Sequence, residues 1–312
     1  MPGRSHLRHV LAAVLGAAAV LAAASGCSGP AGAATPAPAA TPTVLDATDL
    51  RLPAADYLLT PQARLRMDRA SQALVTACVK RYGLEFTGSP PAPRSEPETV
   101  TEMRYGVANT EQARTTGYHF GPANRGYLPP TGTAEPAPNK DAGYQLVLNG
   151  NGSPGKNDGT ATEYRGKPVG PGGCMAEMTK RLSGRSTFLG EAALVQQVDA
   201  RSFDESLKAP AVQKVFQAWS SCMRDKGFTY ATPLDAVNDP AFGKPEPAAG
   251  EQRTAQADVA CKQQHNVVGV WFATEVDRQN ALLAPHAAEL RTVKIQMGEQ
   301  DAVVTDVLRG AD

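Results

Sequence analysis

Five cysteines carry the plainest chemistry in this 312-residue chain: Cys27, Cys78, Cys174, Cys222 and Cys261. None stands in the close CxxC spacing of a zinc site or a thioredoxin-like redox pair. Disulfide bonds are therefore the expected use, and five thiols cannot all pair. The other reactive types are scattered. Beyond residue 26 the histidines are His119, His265 and His286, far apart and in no triad or metal motif. No GxSxG and no HExxH occurs. Glu163 and Glu177 have the residue types of a glycosidase pair, but a chain with 31 acids offers many such pairs. "GNGSPG", Gly150 to Gly155, matches GxGxxG by letter only, because "KNDGTATEYRGKP" follows it and is no helix start. The expectation is a non-enzyme with no catalytic residue, no metal-ligand set and no cofactor.

The unpaired cysteine is explained by what precedes it. Arg4, His6, Arg8 and His9 form a basic start, and Val10 to Ala24 is an unbroken apolar run of fifteen residues. A membrane span needs about 20, so the run suits the core of a secretory signal instead. Ala24-Ser25-Gly26-Cys27 resembles the lipobox of bacterial lipoproteins, with Ala24 where that family prefers Leu. The resemblance implies cleavage before Cys27, acylation of its thiol, and two chains, enough for stable attachment. An ordinary signal cut near Ala24, leaving Cys27 free, is the alternative. The expected location is thus the outer face of the cytoplasmic membrane, an oxidising setting in which the other four cysteines pair.

Next comes "SGPAGAATPAPAATPTV", residues 28–44, which holds no charge and too little apolar bulk for a core. It is expected to be a tether running to residue 55, with a reach of roughly 25–30 Å. Residues 27–312 number 286 (312 − 26) and carry 29 bases (31 − Arg4 and Arg8) against 31 acids, a balance of −2. That balance excludes a nucleic-acid field and a polybasic grip on lipid. Aromatics are only 6% of the chain, so the expected core is aliphatic, alanine-rich and helical.

Two stretches repeat. In "LVTACVKRYGLEF" (74–86) and "AWSSCMRDKGFTY" (218–230) the cysteine stands five residues before a glycine, with bases in the last turn. This is a helix C-terminus: glycine adopts the left-handed cap and the bases answer the dipole. Thr60 and Pro61 suit the start of the first helix. In the second, Val212, Val215, Phe216, Trp219 and Met223 share one face, with Cys222 beside it. Each copy is followed by a Pro/Gly-rich stretch and another cysteine. Two related units, each closed by its own bond, predict Cys78–Cys174 and Cys222–Cys261; two other pairings stay open.

"CMRDKGF", "ADVACK" and "VGVWFATEVDRQN", with "RYGVANTEQARTTGYHF" and "YQLVLNG" upstream, resemble a group of actinobacterial (high-GC Gram-positive) envelope lipoproteins and secreted proteins. The resemblance spans most of residues 60–285. It implies envelope location and fold, and no activity.

Residues 87–170 are the least regular part and hold Tyr105, Tyr118, Tyr127, Tyr144 and Tyr164 of the eight tyrosines. One short helix is expected after Asn109, with Gln112 at its third position and Gly117 ending it. Exposed rings at Tyr105, Tyr118 and Tyr127 would contact sugar or peptide; a satellite core beneath the loop is the other reading. From Glu251 a long helix is expected to Pro285. Its apolar stripe contains Glu275 and Gln279, expected at a solvent-facing edge, with a buried polar network as the sharper alternative. His265 shares the face of Cys261 and is expected to be structural. Leu290, Val293, Met297, Val304 and Leu308 then form a stripe that packs back on the first unit or docks another chain, the former being expected.

The combined expectation is a mostly α protein of two disulfide-closed helical units with long irregular loops and a long C-terminal helix. Its parts are a signal peptide (1–26), a lipidated cysteine and Ala/Pro/Thr-rich tether (27–55), a first unit (56–188) and a second unit (189–312). The expected function is non-catalytic binding: an accessory component of an envelope complex such as an exporter, with a membrane held through Cys27 and an envelope protein as partners. A peptidoglycan or glycan binder is the alternative, and an envelope hydrolase the least favoured.

Overall fold

Helix ends are set where caps are written. The computed structural model describes residues 38–130, 137–150, 162–244 and 246–310; the leader, Cys27 and GNGSPG beyond Gly150 lie outside the described residues. Helix α1 (Pro61–Arg81) starts on Thr60, whose side chain accepts from the Ala63 amide. Helix α2 (Thr110–Thr115) starts on Asn109, which accepts from Gln112. After α3 (Tyr144–Asn149) a small hairpin pairs β1 (Thr162–Tyr164) with β2 (Lys167–Val169) in register Thr162↔Val169. Its tight turn, Arg165-Gly166, has positive φ at both residues, as a two-residue hairpin turn requires. The rest is helical: α4 (Gly173–Ser183), α5 (Ala193–Leu207), α6 (Pro210–Asp225), α7 (Pro233–Val237), α8 (Ala249–Gln264), α9 (Val267–Leu283) and α10 (Ala287–Arg309).

The sequence repeat is a structural one. Helices α1 and α6 end alike, with Gly83 and Gly227 at φ +73° and +87°. The Leu84 amide returns to Val79 O and the Gly83 amide to Lys80 O; Phe228 and Gly227 return to Met223 O and Arg224 O. This is the same two-bond cap twice. The disulfides are Cys78–Cys174 and Cys222–Cys261, with Cα–Cα distances of 5.7 and 5.8 Å. The first joins α1 to α4 and the second α6 to α8.

Packing does not follow chain order. Around Cys222–Cys261 sit Phe216, Trp219, Met223 and Trp271, joined by Tyr105, Val107, Ala113 and Tyr118 from between the first two paired cysteines. Around Cys78–Cys174 sit Val79, Val147, Met178 and Leu182, joined by Val304 of α10. A third cluster unites Ala54, Val195 and Val198 with Leu290 and Val293. The α10 stripe therefore packs back on α1, where Arg66 also donates to Asp301 and Thr305, both at 2.6 Å.

Two expectations need correction. The helix from Glu251 is interrupted: α8 ends at Gln264 and α9 begins after Asn266, which takes the left-handed conformation at φ 46°. Asparagine tolerates that region better than most residues, and beyond the turn α9 packs against α5 and α6. Past Leu283, Pro285 lies in a 3-10 turn, Ala284–His286, that passes directly into α10.

The second correction concerns the tether. From Pro38 onward the chain is laid down as a strap instead of running free to residue 55. The Asn266 carboxamide donates to Pro42 O at 2.8 Å and accepts from the Val44 amide at 3.1 Å. Asp277 accepts from the Ala39 amide at 2.7 Å. Thr99 and Thr101 donate to Thr48 O and Leu50 O, and Val44, Ala47 and Leu52 are buried. Gly269 is required under the strap, since a Cβ there would stand 2.0 Å from Pro42 O.

Asn266→Gly keeps the left-handed turn and deletes both clamp bonds. It is expected to cost about 1–3 kcal/mol in urea unfolding and to speed amide exchange at Val44; unchanged exchange would show the strap to be held by burial alone.

Candidate functional site

Most of the ionisable groups inside the protein are committed to the fold. Arg104, between the first two paired cysteines, reaches Glu275 of α9 through Nε at 2.9 and 3.1 Å, and Asp199 of α5 at 3.2 Å. Tyr105 Oη and Ser202 Oγ also donate to the Glu275 carboxylate, at 2.9 and 3.1 Å. Gln279 donates to Ser202 and accepts from the Ala54 amide at 2.8 Å. Glu275 and Gln279 have no exposed surface, so the stripe holds a buried polar network and not a solvent edge. Burial works against the Arg104 charge, yet the bond to Glu275 holds its pKa above the ordinary value. Burial, with the adjacent carboxylate, pushes the Tyr105 phenol far upward, so it stays a donor.

A second buried pair joins Lys262 to Asp258 at 3.0 Å, with Trp219 Nε1 donating to the same carboxylate and Lys262 to Val107 O. Burial raises the Asp258 pKa while Lys262 opposes the rise. Glu251 accepts from the Tyr118 amide, and Glu102 from the amides of Glu98 and Arg125. Asp258 and Glu251 tie a cation or loop backbone to α8, and Glu102 ties one loop segment to another.

The tyrosine expectation is overturned at two of its three positions. Tyr105 is fully buried with its ring edge-on to Trp271, 5.1 Å between centroids. Tyr118 is buried and stacks on Phe242. Neither presents a face to a ligand, because the loop folds inward and fills the core around Trp271. Tyr127 is half-buried beside Phe120. Glu163 and Glu177 have different roles: Glu177 binds Arg81 across the first disulfide, and Glu163 is an exposed residue of the hairpin. His265 is half-buried at the end of α8, and His119 lies 3.4 Å from Glu251.

A surface feature with the geometry of a binding site lies elsewhere. A cleft of about 290 Å³ opens between the first turns of α1 and the segment 92–98, closed at one end by Gly126 and Leu128. Pro61, Arg64, Leu65 and Asp68 recur at helical spacing and form one wall; Pro93, Arg94 and Glu96 form the other. Leu65, Pro61, Pro93 and Leu128 make it largely apolar. A second cleft of about 470 Å³ shares Pro61, Arg64, Glu96 and Glu98 and extends the trough to the strap at Thr48–Arg51.

Two ion pairs cross from wall to wall: Arg64–Glu96 at 2.8 Å and Asp68–Arg94 at 3.2 Å, with opposite polarity. All four groups remain partly exposed, so each pair is worth about 0–1 kcal/mol. The proline-rich wall is held from behind, where Leu128 donates to Ser95 Oγ and Gly126 lies against Glu96 O, 2.4 Å from where its Cβ would be.

These four charged residues escaped the sequence reading. Arg64 and Asp68 are one turn apart on α1, a visible signal, but their partners stand 26 and 32 residues away in irregular chain. Comparison with family models, with curated proteins and with solved structures finds no match.

Removing one partner of a buried pair strands the other charge. Glu275→Ala is expected to destabilise by about 3–5 kcal/mol in urea unfolding, and Glu275→Gln by less because the amide still meets Tyr105 and Arg104. Equal losses would show that the carboxylate's charge carries the contribution and that the retained hydrogen bonds of the amide do not.

Proposed function

We propose that this chain is a lipid-anchored, non-catalytic component of a bacterial cell envelope that binds a protein partner, as an accessory to an envelope complex such as an exporter. The leader and Cys27 support the anchoring, and the disulfide framework suits an oxidising exterior. The observation that carries the binding reading is the apolar trough along α1, of the size and composition of ligand sites in general. The large carboxylates and the two tryptophans of the interior are engaged in holding the fold, and the trough sets apolar surface beside charge at the exterior. Helix α10 was the other partner surface expected from the sequence; its stripe is occupied by α1 and α5. The glycan alternative rested on Tyr105, Tyr118 and Tyr127, of which the first two are buried and Tyr127 is half-buried; the hydrolase alternative rested on Glu163 with Glu177, and Arg81 engages Glu177.

Two measurements test this reading. Cys27→Ser is expected to abolish incorporation of labelled fatty acid and to move the protein from the membrane fraction to the medium. Retention of label would overturn the anchoring site. A photo-crosslinking side chain at Gln62, in the trough, is expected to capture a discrete envelope protein in intact cells, while the same group at exposed Lys214 of α6 does not. Equal capture from both positions, or none from either, would sink the trough as a docking site.

A further inference from the structure

We propose that the seam between α1 and α4 is a membrane-facing surface, on which Arg69, Lys180 and Arg181 meet the phosphate groups of anionic lipid. This goes beyond the partner-binding reading and rests on the anchoring half of it alone, because a chain held at a bilayer has such lipid constantly within reach.

Two open clefts, of about 510 and 550 Å³, run along this seam to the end of α10 and share Leu74 and Arg181. Arg69, Ala73, Thr76 and Ala77 recur at helical spacing and form the α1 side. Lys180 and Arg181 stand on α4. The lining holds these three cations against two acids, and both acids are already answered: Glu177 pairs with Arg81, and Asp306 with Arg309. Arg69, Lys180 and Arg181 are exposed and pair with no carboxylate among the described residues. Like charges gathered along one cleft repel each other, and an external anion relieves that repulsion.

The charge balance of the whole chain speaks against a grip on anionic lipid because it averages over surfaces that the fold separates. These cations come from two helices far apart in sequence, which Cys78–Cys174 joins side by side. Phosphate suits them, since guanidinium forks and an ammonium call for several acceptor oxygens. The floor beside them is apolar, with Leu74, Ala73 and Val307. An inorganic ion would leave that floor bare, whereas the glycerol and first methylenes of a lipid cover it.

Exposure favours a surface over a soluble ligand. Each exposed cation raises partitioning onto anionic lipid only about fivefold, which is too little to retain a free molecule. A tether supplies the effective concentration, so three cations are enough to hold the folded part in one orientation.

The test uses the mature chain, residues 27–312, oxidised and carrying Cys27→Ser, so that no acyl group contributes to binding. Its co-sedimentation with phosphatidylcholine vesicles is compared with that on vesicles that also contain phosphatidylglycerol. Sedimentation is expected with the anionic vesicles alone. It should fall as salt rises from 0.1 to 1 M and the screening length shrinks from about 10 to 3 Å. Arg69→Gln with Lys180→Gln and Arg181→Gln should weaken it about a hundredfold, the product of three fivefold factors. The same loss of charge at Lys208, Lys214 and Lys226, exposed on and beside α6, should change it far less. Equal weakening by the two triple variants would overturn the seam as the binding surface, and so would equal sedimentation with both kinds of vesicle. Release by inorganic phosphate at constant ionic strength would show a site for a soluble anion and overturn the lipid reading. Failure of the anchoring reading shows separately, in the fatty-acid label on Cys27.

Discussion

The pairing of Arg104 with Glu275 is the constraint on which the arrangement of the chain depends. A guanidinium and a carboxylate without solvent are tolerable only together and fully hydrogen-bonded. Here the set is completed by Asp199, Ser202, Tyr105 and Gln279. Those residues come from the first cysteine loop, from α5 and from α9, and through Gln279 the network reaches the Ala54 amide. Four distant stretches are thereby fixed to one point, and any other docking of the loop would leave a buried charge unanswered. The disulfides act differently: they shorten the unfolded chain, by about 4–5 kcal/mol each in the entropy model, and say little about which surfaces meet. The buried network carries the specificity and the two bonds carry much of the stability.

Local structure was legible because it is written locally. Thr60-Pro61, Asn109 with Gln112, and the two Cys-x4-Gly helix ends each carry their own cap chemistry, and the equivalence of the ends made the pairing of Cys78 with Cys174 and of Cys222 with Cys261 readable. The interleaving was not legible. Tyr105 and Tyr118 stand among Pro, Gly and charged residues, the composition of an exposed loop. They are buried because Trp271 and Phe242, far along the chain, need partners. The break at Asn266 was hidden for the converse reason. "KQQHNVVGVWF" has no proline and keeps an apolar period, so a single left-handed residue ends one helix and begins another. Glu275 fell between these cases: a carboxylate in an apolar stripe is either at an edge or in a network, and the deciding partner, Arg104, is 171 residues away.

The strap shows how composition can mislead about order. An Ala/Pro/Thr sequence has little apolar area to bury and is normally a spacer. From Pro38 it is nonetheless held, because the folded part meets its backbone with side chains: Asn266, Asp277, Thr99 and Thr101 all bond main-chain groups of the strap. Recognition of backbone asks little of the strap's own residues beyond small size and an occasional Val or Leu. The information for order therefore sits in the receptor, at an asparagine with unusual φ and a glycine that no other residue can replace, and a reading of the strap alone cannot find it.

The same strap connects the two ends of the functional reading. It lies along α9 from Ala39 to Val44 and arrives at Thr48–Arg51 as part of the trough's second cleft. On its way it is fastened to Thr99 and Thr101, which directly follow the wall residues Glu96 and Glu98. Within the described residues the strap thus runs from the α9 surface to the trough without an intervening helix. Displacement of the strap and occupation of the trough would act on the same short run of backbone. The trough side is bridged by weak, solvent-screened pairs, and the α9 side is fastened by the Asn266 carboxamide and by Asp277. Of the two, the clamp sits beside buried Val44 and the pairs stand at the rim, so the trough is the side that yields first.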